Sequence, residues 1–567
     1  MRSNRVLKRT LRYALLMILS SFAGRLINAQ TPQSTVEPNF TASRSHLTVR
    51  EKCAPCHADI VASYAQTSMA QASGTALQAL IPGEFTHPAS HVHYRIFEEA
   101  GKAWLSFDRD TDDSLQGKRE LLYFIGSGQR GRTYLFSDDG YVFESPVNWY
   151  AQSNKWDMTP AYRDANHAPL NLPAAVSCLH CHTSGFHPPA PSTENKYAEP
   201  IFAQPGISCE RCHGDTEAHI AGKGSVLNPS KLAPAARDAI CMQCHLEGNA
   251  AIEQPGKHLY DFQPGANLSD YIHYLVLSTD AAANPRAVSQ FEALATSVCK
   301  RRSGDALHCT TCHNPHRAVS AADRVTYYRA KCLACHGERF GKKHKSKNPD
   351  CPSCHMPRIS SSDVAHTQAT DHRILRAQNA TAAQSATNVP SAAKLERFPA
   401  DAAAPPTDRD LILGWLALAE AGREFAIPEE EKLIPKAAKE YPTDAAILSA
   451  YAYRELLHNH TQRAKELYEA ALQNDPLNLD AAVNLGVIEA QSGSVEKALR
   501  LWKSAFEREP WRSSIGMNLA RVHCNLANAA EAQASLKRVL QFNPDFPEAR
   551  SFLHGIESRT IPCGHNQ

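Results

Sequence analysis

The 567-residue chain lacks a strong excess of either charge, because 60 Lys and Arg against 58 Asp and Glu give a formal net charge of +2. Such an even balance gives no reason to expect nucleic acid or an anionic membrane surface as a partner. After residue 24 the sequence also lacks any apolar run of the roughly 20 residues that a membrane-spanning helix needs. The length exceeds what one hydrophobic core supports, so two or three domains are expected.

The N-terminus has basic residues followed by an apolar run. Five basic residues lie among the first twelve, an apolar run covers Tyr13–Gly24, and Ala29 offers a small residue for cleavage. This layout predicts a secretory signal peptide over residues 1–29. The alternative is an uncleaved anchor, but the apolar run is about half the length that a span requires. We therefore expect an exported protein, periplasmic or otherwise extracytoplasmic, with no transmembrane segment in the mature chain.

Cysteine and histidine are abundant, with 17 and 27 residues. An exported chain rich in cysteine is usually a disulfide scaffold, but the spacing here argues against that interpretation. Fourteen of the cysteines fall into seven copies of the pattern Cys-x-x-Cys-His. The seven motifs, numbered in chain order, are Cys53, Cys56 and His57; Cys178, Cys181 and His182; Cys209, Cys212 and His213; Cys241, Cys244 and His245; Cys309, Cys312 and His313; Cys332, Cys335 and His336; and Cys351, Cys354 and His355.

This pattern is the attachment signature of c-type haem. Two cysteines three positions apart lie on one turn and can each form a thioether, while the adjacent histidine supplies an imidazole to the iron. Zinc sites also use Cys-x-x-Cys pairs, but they do not require a histidine after every second cysteine. The sequence therefore predicts seven covalently attached haems, which form much of the core of a domain over residues 45–375.

Three cysteines lie outside the motifs. Cys524 falls in a helical pattern and is predicted to be a small buried side chain. Cys563, in the C-terminal tail, is predicted to be inert. Cys299 is predicted to be structural, with a ligand or a reactive thiol as the alternative.

Residues from about 83 to 160 contain no haem motif and change in character. Segments such as VHYRIF and TYLFSDDGYVF alternate apolar and polar residues between Gly- and Asp-rich turns. This pattern predicts a small antiparallel β insert between the first motif and the other six. Its aromatic residues are interpreted as the core of the sheet rather than as a substrate cage.

The C-terminal third is repetitive. Residues 376–407 are rich in Ala, Thr, Ser and Pro, which predicts a flexible linker. Beyond it, Pro442, Pro476, Pro510 and Pro544 follow one another at steps of 34 residues. This is the period of the tetratricopeptide repeat, so we predict a repeat domain over residues 408–556, with clear repeats at 443–476, 477–510 and 511–544. Such repeats usually bind a protein or peptide.

The fifth motif is followed by a further histidine, His316. It comes three residues after His313 and cannot reach the opposite face of the haem that His313 holds. If it is a ligand, its haem is a neighbouring one. A surface histidine after Asn314-Pro315 is the alternative.

The runs HCTTCHNPH, ISCERCHGDTEAH (207–219) and CPSCHMP…VAHTQATDHRI (351–374) resemble exported multihaem cytochromes related to cytochrome c-554 and pentahaem nitrite reductase, in particular those with C-terminal tetratricopeptide repeats. The resemblance implies a mainly α fold, namely a haem-cored multihaem cytochrome c domain with a small antiparallel β insert, followed by an α-solenoid. It also implies distal iron ligands: His219, His316, His366 and His372, and more weakly His87, His273 and His344. His258, His167 or His187 could replace a weak candidate, and Met69 could replace His87 at the first haem.

Two functions follow from these features. We predict electron transfer through the seven haems, with redox partner proteins and a ligand docked on the repeats. The alternative is an oxidoreductase acting on a small nitrogen or sulfur species at one five-coordinate haem, for which the first haem is the candidate. The resemblance makes nitrite reduction less favoured, because no motif carries the lysine that replaces the histidine at the catalytic haem of pentahaem nitrite reductases.

Overall fold

The computed structural model describes residues 49–110, 112, 115–163, 165–277, 286, 288–344, 348–360, 368–376, 394–399, 405–423 and 426–564. The predicted signal peptide and most of the predicted linker lie outside these residues. The chain divides into two compact units. The motif unit comprises Thr35–Pro160 and Pro173–Pro405, and the repeat unit includes Ala161–Leu172 and Pro406–Gln567.

The motif unit carries its Cys-x-x-Cys-His motifs on or beside short helices. Local signals define several of them: Asp350 accepts a hydrogen bond from the backbone of Ser353 at the N-terminus of the last one, and Pro234 begins another. The helices are α1 (Val49–Tyr64), α2 (Val176–His182), α3 (Glu210–His213), α4 (Glu217–Ile220), α5 (Pro234–His245), α6 (Gln290–Thr296), α7 (Val298–Ser303), α8 (Cys309–Cys312), α9 (Arg324–Lys343) and α10 (Cys351–His355).

The predicted β insert is confirmed as a nine-stranded antiparallel sheet. Its strands are β1 (Ser73–Thr75), β2 (Gly83–Thr86), β3 (His93–Glu99), β4 (Lys102–Asp108), β5 (Gln116–Ile125), β6 (Gly131–Asp138), β7 (Tyr141–Glu144), β8 (Val147–Tyr150) and β9 (Lys155–Met158). The path runs β2-β3-β4-β5-β6-β8-β9, with β1 added on β5 and β7 on β6. Tyr94, Tyr134, Phe136 and Phe143 are almost fully buried, so the aromatic residues do form a core.

Seven further strands form small sheets among the motif helices. They are β10 (Thr183–Phe186), β11 (Phe202–Pro205), β12 (Ala250–Glu253), β13 (Ile272–Leu277), β14 (Arg358–Ser360), β15 (Gln368–Thr370) and β16 (Leu395–Phe398). Strand β16 lies inside the predicted linker 376–407, so that part of the linker prediction is wrong. Its backbone pairs with β13 and Leu395 is buried, which the Ala- and Pro-rich composition around it obscured.

The repeat unit is built from helix pairs, as the 34-residue period predicts. The helices are α11 (Asp408–Glu420), α12 (Ile427–Glu440), α13 (Ala445–Leu457), α14 (Thr461–Asn474), α15 (Leu479–Gln491), α16 (Val495–Arg508), α17 (Ser513–Asn525), α18 (Ala529–Phe542) and α19 (Pro547–Glu557). The three predicted repeats correspond to α13–α14, α15–α16 and α17–α18. No helix among the described residues is long and apolar enough to span a membrane.

Small residues allow the paired helices to approach closely. Ala464, Ala498 and Ala532 are completely buried at equivalent positions of the three repeats. Gly486 lies against the indole of Trp502, and a Cβ built on it would be 2.4 Å from the indole nitrogen. That nitrogen also donates a hydrogen bond to the carbonyl of Val483 (3.0 Å), which holds the ring in place.

A disulfide joins Cys524 to Cys563 and corrects both predictions for these cysteines. The bond connects α17 with the tail after α19, which is 39 residues away in sequence. Cys524 is buried, as predicted, but it is a cross-link rather than a simple packing residue. Sequence spacing alone does not reveal a pair so far apart, because only the packing of α19 brings the tail back to α17. Cys299 is a partly buried free thiol.

The contact between Gly486 and Trp502 gives a stability prediction. Gly486→Ala should destabilise the repeats by about 1–3 kcal/mol, because the added methyl group overpacks against the indole. At an exposed helix position the same change would stabilise by up to about 1 kcal/mol. Thermal melting followed by far-ultraviolet circular dichroism measures the difference, with Gln491→Ala, at an exposed position of the same helix, as control. A raised melting temperature for Gly486→Ala would contradict the packing.

Candidate cofactor site: paired histidines

The histidines that end the motifs lie in the motif unit at the ends of short helices. Four of them have the ring of a second histidine, from elsewhere in the unit, about 6 Å away. His57 lies near His219, with ring centroids 6.3 Å apart, and His213 lies near His316 at 5.8 Å. The other two pairs are His313 with His372 (6.3 Å) and His355 with His344 (5.9 Å).

The centroid separation suits two imidazoles on opposite sides of one metal ion. A metal–imidazole nitrogen bond is about 2.0 Å long, and the coordinating nitrogen lies about 1 Å from the ring centroid, so the two centroids would lie about 6 Å apart. The interplanar angles range from 11° to 67°. Among the described residues no group of three or more His, Cys, Asp or Glu side chains could hold a metal ion.

Backbone carbonyls orient one ring in each pair. The Nδ1 of His213 is 2.9 Å from the carbonyl oxygen of Leu227, and that of His355 is 2.6 Å from Leu375. The Nδ1 of His372 is 2.8 Å from the carbonyl oxygen of Thr370, and that of His219 is 3.3 Å from Gly224. An Nδ1–H that donates to a carbonyl leaves the lone pair on Nε2, and this is the common arrangement for histidines that bind a metal.

Burial keeps several of these rings neutral. Burial, and then the facing ring of His213, lower the pKa of His316. The pKa values of His313 and His372 are also lowered, mainly by burial. Neutral imidazole is the form that coordinates a metal.

The pairs connect the motifs in a definite order. His219 follows the third motif and faces the first, while His316 follows the fifth motif and faces the third. His372 follows the seventh motif and faces the fifth. His344 follows the sixth motif and faces the seventh. The four pairs thus link the motifs in the order 1–3–5–7–6, and His316 faces a neighbouring motif rather than its own.

The motif cysteines, predicted to attach the haems, are all free thiols rather than members of disulfides. Most of them are partly buried, and Cys56 and Cys335 are exposed. In the seventh motif Cys354 is only partly buried, and its sulfur is 3.8 Å from the hydroxyl oxygen of Ser353. A free thiol is what a thioether bond requires, and attachment of haem at these positions stays a prediction.

Cysteine thiols bring further motifs together. Cys181 of the second motif interacts with Cys244 of the fourth, and Cys241 of the fourth interacts with Cys309 of the fifth. The second motif therefore adjoins the fourth, and the fourth adjoins the fifth. Cys53 and Cys209 give a similar contact between the first and third motifs.

His87 and His273, the other predicted ligands among the described residues, are not members of these four pairs. His87, expected near the first motif, is buried with its Nδ1 2.9 Å from Ser90 Oγ, whereas it is His219 that faces His57. His273 is buried in strand β13, and His366 lies outside the described residues.

Three motif histidines lie outside the four pairs. His182 is partly buried, and burial lowers its pKa to about 4. The Nδ1 of His245 is 3.3 Å from Gln290 Oε1. His336 lies within α9.

Two features of the site cannot be predicted from the Cys-x-x-Cys-His motifs. The carbonyls that orient the rings are backbone groups, so no residue type marks them.

The second feature is Glu144, at the end of β7, whose carboxyl oxygen is 3.5 Å from the sulfur of Cys178 in the second motif. Leu135, Val142 and Leu179 belong to the same apolar cluster as Cys178. Burial raises the pKa of Glu144 to about 7. An acidic residue at the end of an otherwise apolar strand, YVFE, is the one signal that could have found it.

Comparison with known families matches two parts of the chain. Residues 148–214 match the family described as cytochrome c554 and c-prime, a stretch that contains the second and third motifs. Residues 489–554 match the tetratricopeptide repeat family. The C-terminal helices are therefore tetratricopeptide repeats, and the chain combines them with a segment similar to cytochrome c554. No curated protein matches the chain.

Similar solved structures include several proteins that align with about a quarter of this chain. MamA from AMB-1 is 20% identical over 27% of this chain and 82% of its own, with a TM-score of 0.24. The pilF protein of Pseudomonas aeruginosa is 21% identical over 28% of this chain and 77% of its own, with a TM-score of 0.24. A thermophilic TPR protein of Thermus thermophilus is 23% identical over 27% of this chain and 83% of its own, with a TM-score of 0.22.

The environment of Glu144 gives a pH prediction. Its pKa is higher in the folded than in the unfolded protein, so the folded state binds more protons and stability falls as pH rises from about 4.5 through about 7. The loss is up to about 3 kcal/mol. Glu144→Gln, which stays neutral, should raise the urea midpoint at pH 8 and leave it nearly unchanged at pH 5. Glu98→Gln, on the exposed side of β3, is the control. If the Glu144→Gln midpoint follows that of the unmodified protein at both pH values, the ionisation of Glu144 does not affect stability.

Proposed function

We propose that the motif unit holds seven c-type haems and transfers electrons among them, and that the repeats dock a protein. The observation that carries this proposal is the placement of four motif histidines opposite histidines from other segments, at the separation that a shared iron needs. The similarity of residues 148–214 to cytochrome c554 supports c-type haem as the cofactor.

The cysteines of each motif would hold a haem by two thioethers and the motif histidine would be the proximal ligand. His219, His316, His372 and His344 would be the distal ligands of the haems at motifs 1, 3, 5 and 7. When bound, each haem supplies an iron that alternates between ferric and ferrous states. Two strong imidazole ligands leave no open coordination position, which favours electron transfer over substrate chemistry at these four motifs.

The segments that carry the distal histidines would keep neighbouring motifs adjacent. Because a distal histidine comes from the segment that follows another motif, each pair ties two motifs together at a fixed short range. Crowded, rigidly held redox centres suit electron transfer along the order 1–3–5–7–6, with motif 4 joined to motif 5 and motif 2 joined to motif 4.

We also infer that the protein is exported. The N-terminal signal pattern and the Cys524–Cys563 disulfide both suit an oxidising compartment outside the cytoplasm.

Two measurements on the oxidised protein test the proposal. Mass spectrometry should show seven covalently attached haems. Electron paramagnetic resonance should then show low-spin ferric signals for the haems at motifs 1, 3, 5 and 7. Fewer than seven haems would contradict the cofactor assignment, and a high-spin signal that changes with nitrite or hydroxylamine would favour the oxidoreductase alternative.

A single variant tests the pairing. His316→Ala should convert about one haem in seven from low-spin to high-spin, because the haem of the third motif loses its distal ligand. His308→Ala is the matched control, since His308 directly precedes the fifth motif, which His316 follows, and contacts Thr310 (2.8 Å). Spectra that do not differ between the unmodified protein and His316→Ala would rule out ligation by His316.

A further inference from the structure

The repeat unit contains a segment that the sequence places far from the repeats. Residues Ala161–Leu172 follow strand β9 and precede helix α2, yet they belong to the same compact unit as the repeats. This segment, which we name the connector, has neither a motif nor a helix-forming pattern. The sequence predicts repeats over residues 408–556 only.

A buried hydrogen bond attaches the connector to the last repeat. The backbone N–H of Ala168 donates to Oδ2 of Asp545 at 2.7 Å, and Asp545 is 2% exposed. Arg550 contacts the other carboxylate oxygen of Asp545 at 3.4 Å. Removing such a donor from a buried carboxylate lowers the free energy of unfolding by about 1–3 kcal/mol or more. This hydrogen bond therefore contributes to stability.

Apolar burial and a second hydrogen bond extend the contact. Ala168 and Leu170 are completely or almost completely buried. The side-chain amide of Asn171 donates to the carbonyl oxygen of Trp511 at 3.4 Å, and Trp511 itself is buried. The connector thus contacts the turn before α17 and the turn before α19, which are one repeat apart.

The repeats themselves provide an internal comparison. Leu477, Trp511 and Asp545 occupy the same position, 34 residues apart, immediately after the repeated proline. Leu477 is 42% exposed, whereas Trp511 and Asp545, which the connector contacts, are 8% and 2% exposed. The equivalent position is therefore exposed at Leu477 and buried at the two residues that the connector contacts.

We propose that the edge of the repeats formed by Trp511 and Asp545 is a peptide-docking site, and that its resident ligand is the connector of the same chain. The recognised features are a backbone N–H that donates to Asp545, a buried leucine and an asparagine side chain. While the connector is bound, this edge does not accept an external peptide. The proposal does not depend on the haems and concerns a partner different from the protein docked in the proposed function.

Hydrogen exchange measured on the full-length protein tests whether the connector is bound to the repeats. In the unmodified protein the amide of Ala168 should exchange slowly. Asp545→Ala should accelerate its exchange by about tenfold or more, because the acceptor is lost. Asp545→Asn keeps an acceptor oxygen and should retain most of the protection. Glu548→Ala, an exposed acidic position three residues later, should change nothing.

Leu170→Ala is the second variant, for use if Asp545→Ala unfolds the last repeat. The Leu170 substitution alters the connector and leaves the repeats intact. The connector amides should then exchange faster while those of α17 and α19 stay protected. A synthetic peptide of residues 161–172 should bind Leu170→Ala more tightly than the unmodified protein, and a scrambled peptide should bind neither. The proposal is overturned if the connector is unprotected in the unmodified protein, if both variants leave it protected, or if the peptide binds the unmodified protein equally well.

Discussion

The motif unit depends on one recurring interaction, in which an imidazole that ends a Cys-x-x-Cys-His motif faces an imidazole from another segment. In each of the four pairs a backbone carbonyl orients one ring, through Leu227, Leu375, Thr370 or Gly224. Four pairs at centroid separations of 5.8–6.3 Å link five of the seven motifs into one series. In the proposed function, an arrangement of this kind would hold the haems close together without needing long helices or a large apolar core around them.

The β insert and the repeats are stabilised by ordinary protein packing. The nine-stranded sheet has its own aromatic core, and its strand β7 brings Glu144 against a cysteine of the second motif. The repeats have alanine- and glycine-lined contacts between helices, and the Cys524–Cys563 disulfide closes their C-terminal end. The connector adds a peptide of the same chain to the repeat unit, so part of the repeat surface has an internal ligand.

Local sequence patterns predicted the parts of this protein whose causes are local. The 34-residue period located the repeat helices, and alternating apolar residues located the sheet, although the three-residue strand β1 has too little pattern to be recognised. Features that depend on distant segments were not predictable. The partner of His57, the disulfide, strand β16 and the contact between Ala168 and Asp545 each join residues far apart in sequence. His316 is the exception, since its short spacing from His313 excluded its own motif and pointed to a neighbouring one.

The central claim is that histidines from different motifs share one iron. The most direct measurement is a structure of the haem-loaded protein by crystallography or electron cryomicroscopy, examined at the haem attached to Cys209 and Cys212. The account predicts His213 on one face of this haem and His316 on the other. It is contradicted if His316 lies in solvent or if another residue occupies that distal position.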